Sequence, residues 1–135
     1  MFLLDTNVLS ELSKERPERR VVTWLSSRVS SEVFVSAITL GEIERGIAKV
    51  RQARPEFAGK LTAWLVGIVT DYGDRVLPVD AAVARRWGVL THRVGHANAD
   101  VLIAATAIEH GLTIATRNVK HFEPTDAATF NPFGA

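Results

Sequence analysis

Four short stretches of this chain place oxygen-bearing side chains where an apolar segment gives way to a polar one. Asp5 follows Met1-Phe2-Leu3-Leu4 directly and leads into Thr6-Asn7-Val8-Leu9. Glu42 comes soon after Val33-Phe34-Val35-Ser36, and Asp100 opens the apolar run from Val101 to Ile108. Thr116-Arg117-Asn118 follows Leu112-Thr113-Ile114-Ala115. Open α/β sheets bind ligands beyond the carboxyl ends of their strands, so acids gathered at one sheet edge would make a divalent-metal site. Mg2+ and Mn2+ prefer oxygen ligands, and Asp5, Glu42, Asp100 and the carbonyl oxygen of Asn118 supply that donor type. Without an ion, three close carboxylates repel, and at least one pKa is expected to rise. A bound ion would orient a water and stabilise charge on a phosphodiester oxygen, which makes hydrolysis of a nucleic-acid backbone the matching reaction class.

Each residue taken alone has an ordinary structural explanation. Asp5 could cap the helix beginning at Thr6 or Asn7, and Asp100 could complement a helix dipole. Glu42 could be a solvated helix residue, and Thr116-Arg117-Asn118 a polar turn. Their joint placement at strand ends and early helix positions is what favours a site.

The elements that must position these groups follow from apolar periodicity. Phe2 to Leu4 fits a strand buried on both faces. Asn7 to Leu12 forms a short helix, and Val21, Val22, Leu25 and Val29 give a second with one wet face. Val33 to Ser36 is the second strand. Ile38, Ile43, Ile47 and Val50 mark a helix, and Pro55 sits early in the next, which carries Phe57, Leu61, Trp64, Leu65, Ile68 and Val69. These two helices form a hairpin arm with more apolar surface than their mutual packing needs. Val76 to Val79 reads as a third strand, and Asp80 caps a helix with Val83, Trp87, Leu90 and Val94 inward. A helix from Asn98 or Ala99 to Glu109 is closed by Gly111. Leu112 to Ala115 is the fourth strand, and the tail near Phe130, Pro132 and Phe133 holds a short edge strand. Strands alternating with helices predict an α/β fold with a small, mainly parallel sheet flanked by helices.

The 135 residues, 47% hydrophobic, suit one domain spanning 1–135. Sixteen basic and fifteen acidic groups leave a formal charge of +1, which neither favours nor excludes a nucleic-acid partner. With no cysteine, disulfides and thiolate metal sites are excluded. The apolar start ends at Asp5 with no basic leader, and no stretch reaches the roughly 20 apolar residues of a membrane helix. A cytoplasmic protein is the expectation.

Three competing motifs fall short. Gly41 to Gly46 has phosphate-loop spacing, but Ile47-Ala48 stand where Lys and Ser/Thr are required. His92 and His96 have zinc-protease spacing without the Glu after the first His. Asp5-Thr6-Asn7 lacks the second acid of aspartyl-phosphate phosphatases. Arg85, Arg86, His92, Arg93, His96, Arg117 and Lys120 are equally a solubilising set or RNA contacts, with Arg117 favoured by its place beside the fourth motif. Trp24, Trp64 and Trp87 lie on apolar stripes and read as core or interface residues.

Four segments carry a family resemblance: Phe2-Leu3-Leu4-Asp5-Thr6-Asn7-Val8-Leu9, Ser36-Ala37-Ile38-Thr39-Leu40-Gly41-Glu42-Ile43, Asn98-Ala99-Asp100-Val101-Leu102-Ile103-Ala104-Ala105-Thr106-Ala107 and Ala115-Thr116-Arg117-Asn118-Val119-Lys120-His121-Phe122. In this order they resemble the PIN-domain ribonucleases, and among them the VapC/FitB-type toxins of bacterial toxin–antitoxin pairs. The resemblance implies an α/β/α sandwich, Mg2+- or Mn2+-dependent endonucleolytic cleavage of RNA, a homodimer, and inhibition by a cognate antitoxin protein. It places Asp5, Glu42 and Asp100 as catalytic acids and metal ligands, with Asn118 completing the metal shell and Thr6, Asn7, Thr116 and Arg117 beside the substrate. The departure is at the fourth acid: many relatives carry one at the position of Asn118 or His121, and this chain has none. Fewer charges weaken a second ion and favour a one-ion mechanism. The alternative is a catalytically weak PIN-like module that binds RNA or protein without cutting.

Overall fold

The structure, a computed structural model, describes residues 1–134. Phe2–Leu4 forms β1 at the centre of a five-stranded sheet. On one side it pairs with β2 (Val33–Ser36), which pairs with β3 (Val76–Leu77). On the other side it pairs with β4 (Thr113–Ala115), which pairs with β5 (Thr129–Phe130). Every pairing is parallel, giving the order β3-β2-β1-β4-β5. The chain thus starts in the middle, builds outward to one edge, then crosses back to the other side of β1. The reversal falls between β1 and β4, where helices depart in opposite directions and leave a crevice.

Strand pleating divides the apolar residues between two cores. Leu3 and Ile114 point to one face, Leu4, Val33, Val35 and Ala115 to the other, and all six are essentially inaccessible to solvent. The first face is covered by α5 (Ala81–Val94), α6 (Ala99–His110) and the single turn α7 (Val119–Phe122). The second is covered by α1 (Thr6–Glu11), α2 (Arg19–Ser26), α3 (Ala37–Arg51) and α4 (Pro55–Tyr72). Burying each large aliphatic side chain contributes about 1.5–3 kcal/mol, and these two layers clamp β1 between them. The expected α/β sandwich and its hairpin arm, α3 against α4, are present.

Where element ends differ from the sequence reading, the backbone supplies the reason. The third strand stops at Leu77 instead of Val79 because Pro78 has no N–H for the ladder. The fourth starts at Thr113, not Leu112, because the Leu112 N–H closes the end of α6 by donating to the Ala107 carbonyl at 2.8 Å. Gly111 makes that closure possible at φ +66°, as its expected C-cap role requires. Val29 lies beyond the end of α2 and is exposed, so it is no part of that helix's stripe. Asp80 caps α5 by accepting from the Val83 N–H at 2.9 Å. Among the described residues no helix is long and apolar enough to cross a membrane.

Candidate functional site

Asp5 is the first residue past β1, and its N–H donates to the Ala115 carbonyl at 2.9 Å, extending the β1–β4 ladder to the crevice. There it caps α1: Oδ1 accepts from the Thr6 N–H at 2.8 Å. The capping reading is therefore correct, but it uses only one oxygen. Oδ2 accepts from the Thr116 hydroxyl at 2.7 Å and from the Asn7 amide at 3.0 Å. Asn7 and Thr116 are themselves locked. The Asn7 carbonyl accepts from the Arg117 N–H at 3.1 Å, and the Thr116 oxygen accepts from the Asn118 N–H at 2.9 Å. This network joins the ends of β1 and β4 and holds one carboxylate at 4% exposure.

Glu42 reaches the same edge from the second turn of α3. Its Oε1 accepts the Thr6 hydroxyl at 2.5 Å, and Thr6 lies 3.3 Å from the buried Thr39 hydroxyl. Ser36 starts α3 by accepting from the Ile38 N–H at 3.2 Å, which sets the phase that turns Glu42 toward β1. Asp100 arrives from the first turn of α6 across the crevice. Its Oδ2 lies 3.3 Å from Nδ1 of His121 on α7.

The three acids lie near enough for Asp5 to feel the charges of the other two. Burial pushes the Asp5 carboxyl above its ordinary value, and the charges of Asp100 and Glu42 push the same way. Hydrogen bonds from Thr116 and the Thr6 backbone oppose the rise without cancelling it. Among the described residues, no three His, Cys, Asp or Glu groups close into a ready-made metal cage. Glu42 is tethered to Thr6 and Asp100 to His121, so like charges meet at interaction distance instead of contact. A donor set of this kind suits a hard ion that keeps several waters and takes one or two carboxylates directly.

Four of the expected site residues, Asp5, Thr6, Asn7 and Thr116, are in direct hydrogen-bond contact with one another or with Glu42. Asn118 is exposed and joins through its backbone N–H, while its side chain makes no hydrogen bond to the acids. Arg117 stands at the rim with its guanidinium 3.8 Å from the Phe133 ring centroid and 4.0 Å from Glu11 Oε1.

Sequence reasoning missed Glu11 and the pairing of His121. Glu11, only 5% exposed, accepts from Lys14 Nζ at 2.8 Å and from the Glu18 N–H at 2.9 Å, and so ties α1, the following loop and Arg117 together. The Lys14 hydrogen bond, followed by that of Glu18, holds its carboxyl below the ordinary value. The i,i+3 spacing of Glu11 and Lys14 was the one local signal. Of the basic set on α5, Arg86 is paired with Glu109 at 2.6 Å and Arg93 with the Thr125 carbonyl at 2.8 Å, so both serve internal packing. Trp24 packs edge-on against Phe2 at 5.0 Å and beside Phe130 at 5.4 Å, and Trp64 and Trp87 lie against the two cores.

Comparison with known proteins agrees with this geometry. The PIN-domain family pattern matches residues 2–126. The chain is 38% identical to Toxin FitB of Neisseria gonorrhoeae, covering 98% of this chain and 99% of that one. It is 34% identical to VapC ribonuclease Y4jK of Sinorhizobium fredii, covering 98% of each. The crystal structure of FitAcB from Neisseria gonorrhoeae superposes over all of both chains with a TM-score of 0.88 at 38% identity. A structure of FitAB bound to a DNA fragment superposes with a TM-score of 0.75 at 36% identity, over 100% of this chain and 97% of that one. With its pattern matched over most of its length, its sheet order and its strand-end acids, the chain belongs to the PIN-domain family.

Proposed function

We propose that this protein is a metal-dependent endoribonuclease and the toxin of a toxin–antitoxin pair. The observation that carries this reading is Asp5, a buried carboxylate at the β1/β4 reversal whose pKa is driven up with two further acids as neighbours. A protein gains nothing in stability from such a cluster, and a divalent cation reverses its sign from repulsion to attraction. Asp5 and Asp100 would hold the ion, with Glu42 and the Asn118 carbonyl oxygen able to complete the shell through water. Mg2+ or Mn2+ supplies Lewis-acid activation of water and neutralises charge at the scissile phosphate.

The remaining chemistry belongs to the chain's own groups. Thr116 and Asn7 hold one oxygen of Asp5, and the Thr6 hydroxyl holds one oxygen of Glu42, leaving its other oxygen able to accept a proton from water. Arg117, with Thr6, Asn7 and Thr116 along the same edge, would meet the RNA backbone, its guanidinium offering a fork for a phosphate. Support for RNA as substrate and an antitoxin as partner comes from the relatives, one named a ribonuclease and others found in FitAB complexes. A shallow apolar pocket of about 240 Å³ between α3 and α4, lined by Leu40, Leu65, Val66 and Val69, is where an antitoxin segment would seat. Homodimerisation is part of the same proposal and is read by light scattering of the purified chain.

RNA cleavage should require Mg2+ or Mn2+ and disappear with EDTA. It should also disappear in Asp5→Asn and Asp100→Asn. Cleavage that persists in EDTA removes the metal mechanism. RNA binding by a protein that takes up no divalent ion would instead establish the binding-only alternative.

A further inference from the structure

The side chain of Arg117 leaves the hydrogen-bond network of the strand ends, and what receives it is an aromatic ring from the segment after β5. Its backbone N–H is held by the Asn7 carbonyl at 3.1 Å, but among the described residues its guanidinium donates no hydrogen bond. Glu11 Oε1 lies 4.0 Å away, too far for a hydrogen bond, and already accepts from Lys14. The guanidinium carbon instead lies 3.8 Å from the centroid of the Phe133 ring, an ordinary contact distance for carbon. That ring is itself held in place. The Phe133 N–H donates to Asn131 Oδ1 at 2.9 Å, its carbonyl accepts from Arg20 Nη1 of α2 at 3.1 Å, and Pro132 beside it is buried. The ring packs against the second core, and a side chain added at Gly134, which has φ +97°, would strike Arg20.

We infer that Phe133 is a positioning residue for RNA capture: its ring holds the Arg117 guanidinium at the rim with the N–H groups free for a backbone phosphate. The inference rests on the reading of Arg117 as an RNA contact and adds what aims it. An exposed arginine samples many rotamers, and binding a phosphate selects one of them. A ring against the guanidinium makes part of that selection before RNA arrives. Contact with a π system engages the charge of the guanidinium without consuming its N–H donors, which stay available for a paired contact with phosphate oxygens. Glu11 attracts the same group but sets no orientation at 4.0 Å, so the ring is what fixes it.

Fluorescence anisotropy of the full chain with a labelled RNA tests this through a double-mutant cycle. Phe133→Leu keeps apolar bulk on the core and should weaken binding about two- to fivefold, with the salt slope unchanged because the charge is still present. Phe133→Tyr keeps the ring and should bind like wild type. In an Arg117→Ala background, Phe133→Leu should have no further effect. In proton NMR of the wild-type protein the Arg117 side-chain resonances should be displaced upfield by the ring, and resonances at unstructured positions overturn the inference without any variant. Equal weakening by Phe133→Leu in both backgrounds, or no weakening in either, overturns it as well. An Arg117→Ala chain that binds RNA as tightly as wild type defeats the reading of Arg117 as an RNA contact, and a wild type that binds no RNA defeats the proposed function itself.

Discussion

Asp5 and Glu11 are two shielded carboxylates at opposite ends of one short helix, and their environments push them in opposite directions. Glu11 is answered by the protein: Lys14, the Glu18 N–H and Arg117 surround it, and its carboxyl titrates low. Asp5 receives three hydrogen bonds, yet burial and the facing Asp100 and Glu42 leave it titrating high. Loss of solvent is the chief cause of the rise at Asp5, where hydrogen bonds do not cancel it, whereas at Glu11 the hydrogen bonds from Lys14 and Glu18 outweigh it. One acid is satisfied by the protein's own groups, and the other is the one that the proposed function completes with a cation.

The largest effect expected from breaking this contrast is on catalysis. Asp5→Asn or Asp100→Asn should reduce RNA cleavage by about 10³-fold or more, the scale on which a preorganised electrostatic group acts, as read by initial rates on a labelled RNA. The same Asp5→Asn should raise the melting temperature of the metal-free protein, because the amide keeps an acceptor for Thr6 or Thr116 without the charge.

Glu11→Gln should do the reverse. Losing the charge beside Lys14 and Arg117 should destabilise the fold by about 1–3 kcal/mol in urea unfolding, while metal uptake is unchanged. A Glu11 variant that lost metal binding would merge the two regions and end the comparison.

The pH dependence separates them further. Glu11 has a folded pKa below its ordinary value, so its contribution is present above that ordinary value and fades as acid is added through the folded pKa. Asp5 has a raised folded pKa, so its ionisation costs stability above that pKa, and the cost fades as pH falls through it. In EDTA, denaturant titrations from about pH 3 to 7 should therefore show Glu11→Gln flattening the acid limb and Asp5→Asn flattening the decline toward neutrality.

The smallest expected effect belongs to Arg117, which Glu11 and Phe133 present at the rim. Arg117→Ala should weaken RNA binding similarly across sequences and reduce the salt slope by about 1. Fluorescence anisotropy with RNA at several salt concentrations measures both.

Much of this was legible in the sequence. The strands read out because buried parallel strands are short apolar runs, and two of the acids read out because Asp5 directly follows such a run and Asp100 opens a helix, while Glu42 stands in the second turn of α3. Asp80 and Gly111 announced their caps by residue type. Pro78 also marks the early end of β3. The approach of Arg117 to Glu11 and of His121 to Asp100 was not legible. Arg117 is distant from Glu11 in sequence, and the α6–α7 packing that brings His121 to Asp100 leaves no periodic trace. Pairings of polar groups on different elements depend on how layers stack, which apolar pattern alone does not set.

The central claim is that Asp5 is a carboxylate waiting for a cation, and carbon-detected NMR titration of its side-chain carboxyl tests it most directly. In EDTA the midpoint should lie above that of an ordinary aspartate, and saturating Mg2+ should drive it below. A midpoint at the ordinary value, or one that Mg2+ leaves unmoved, would contradict the account.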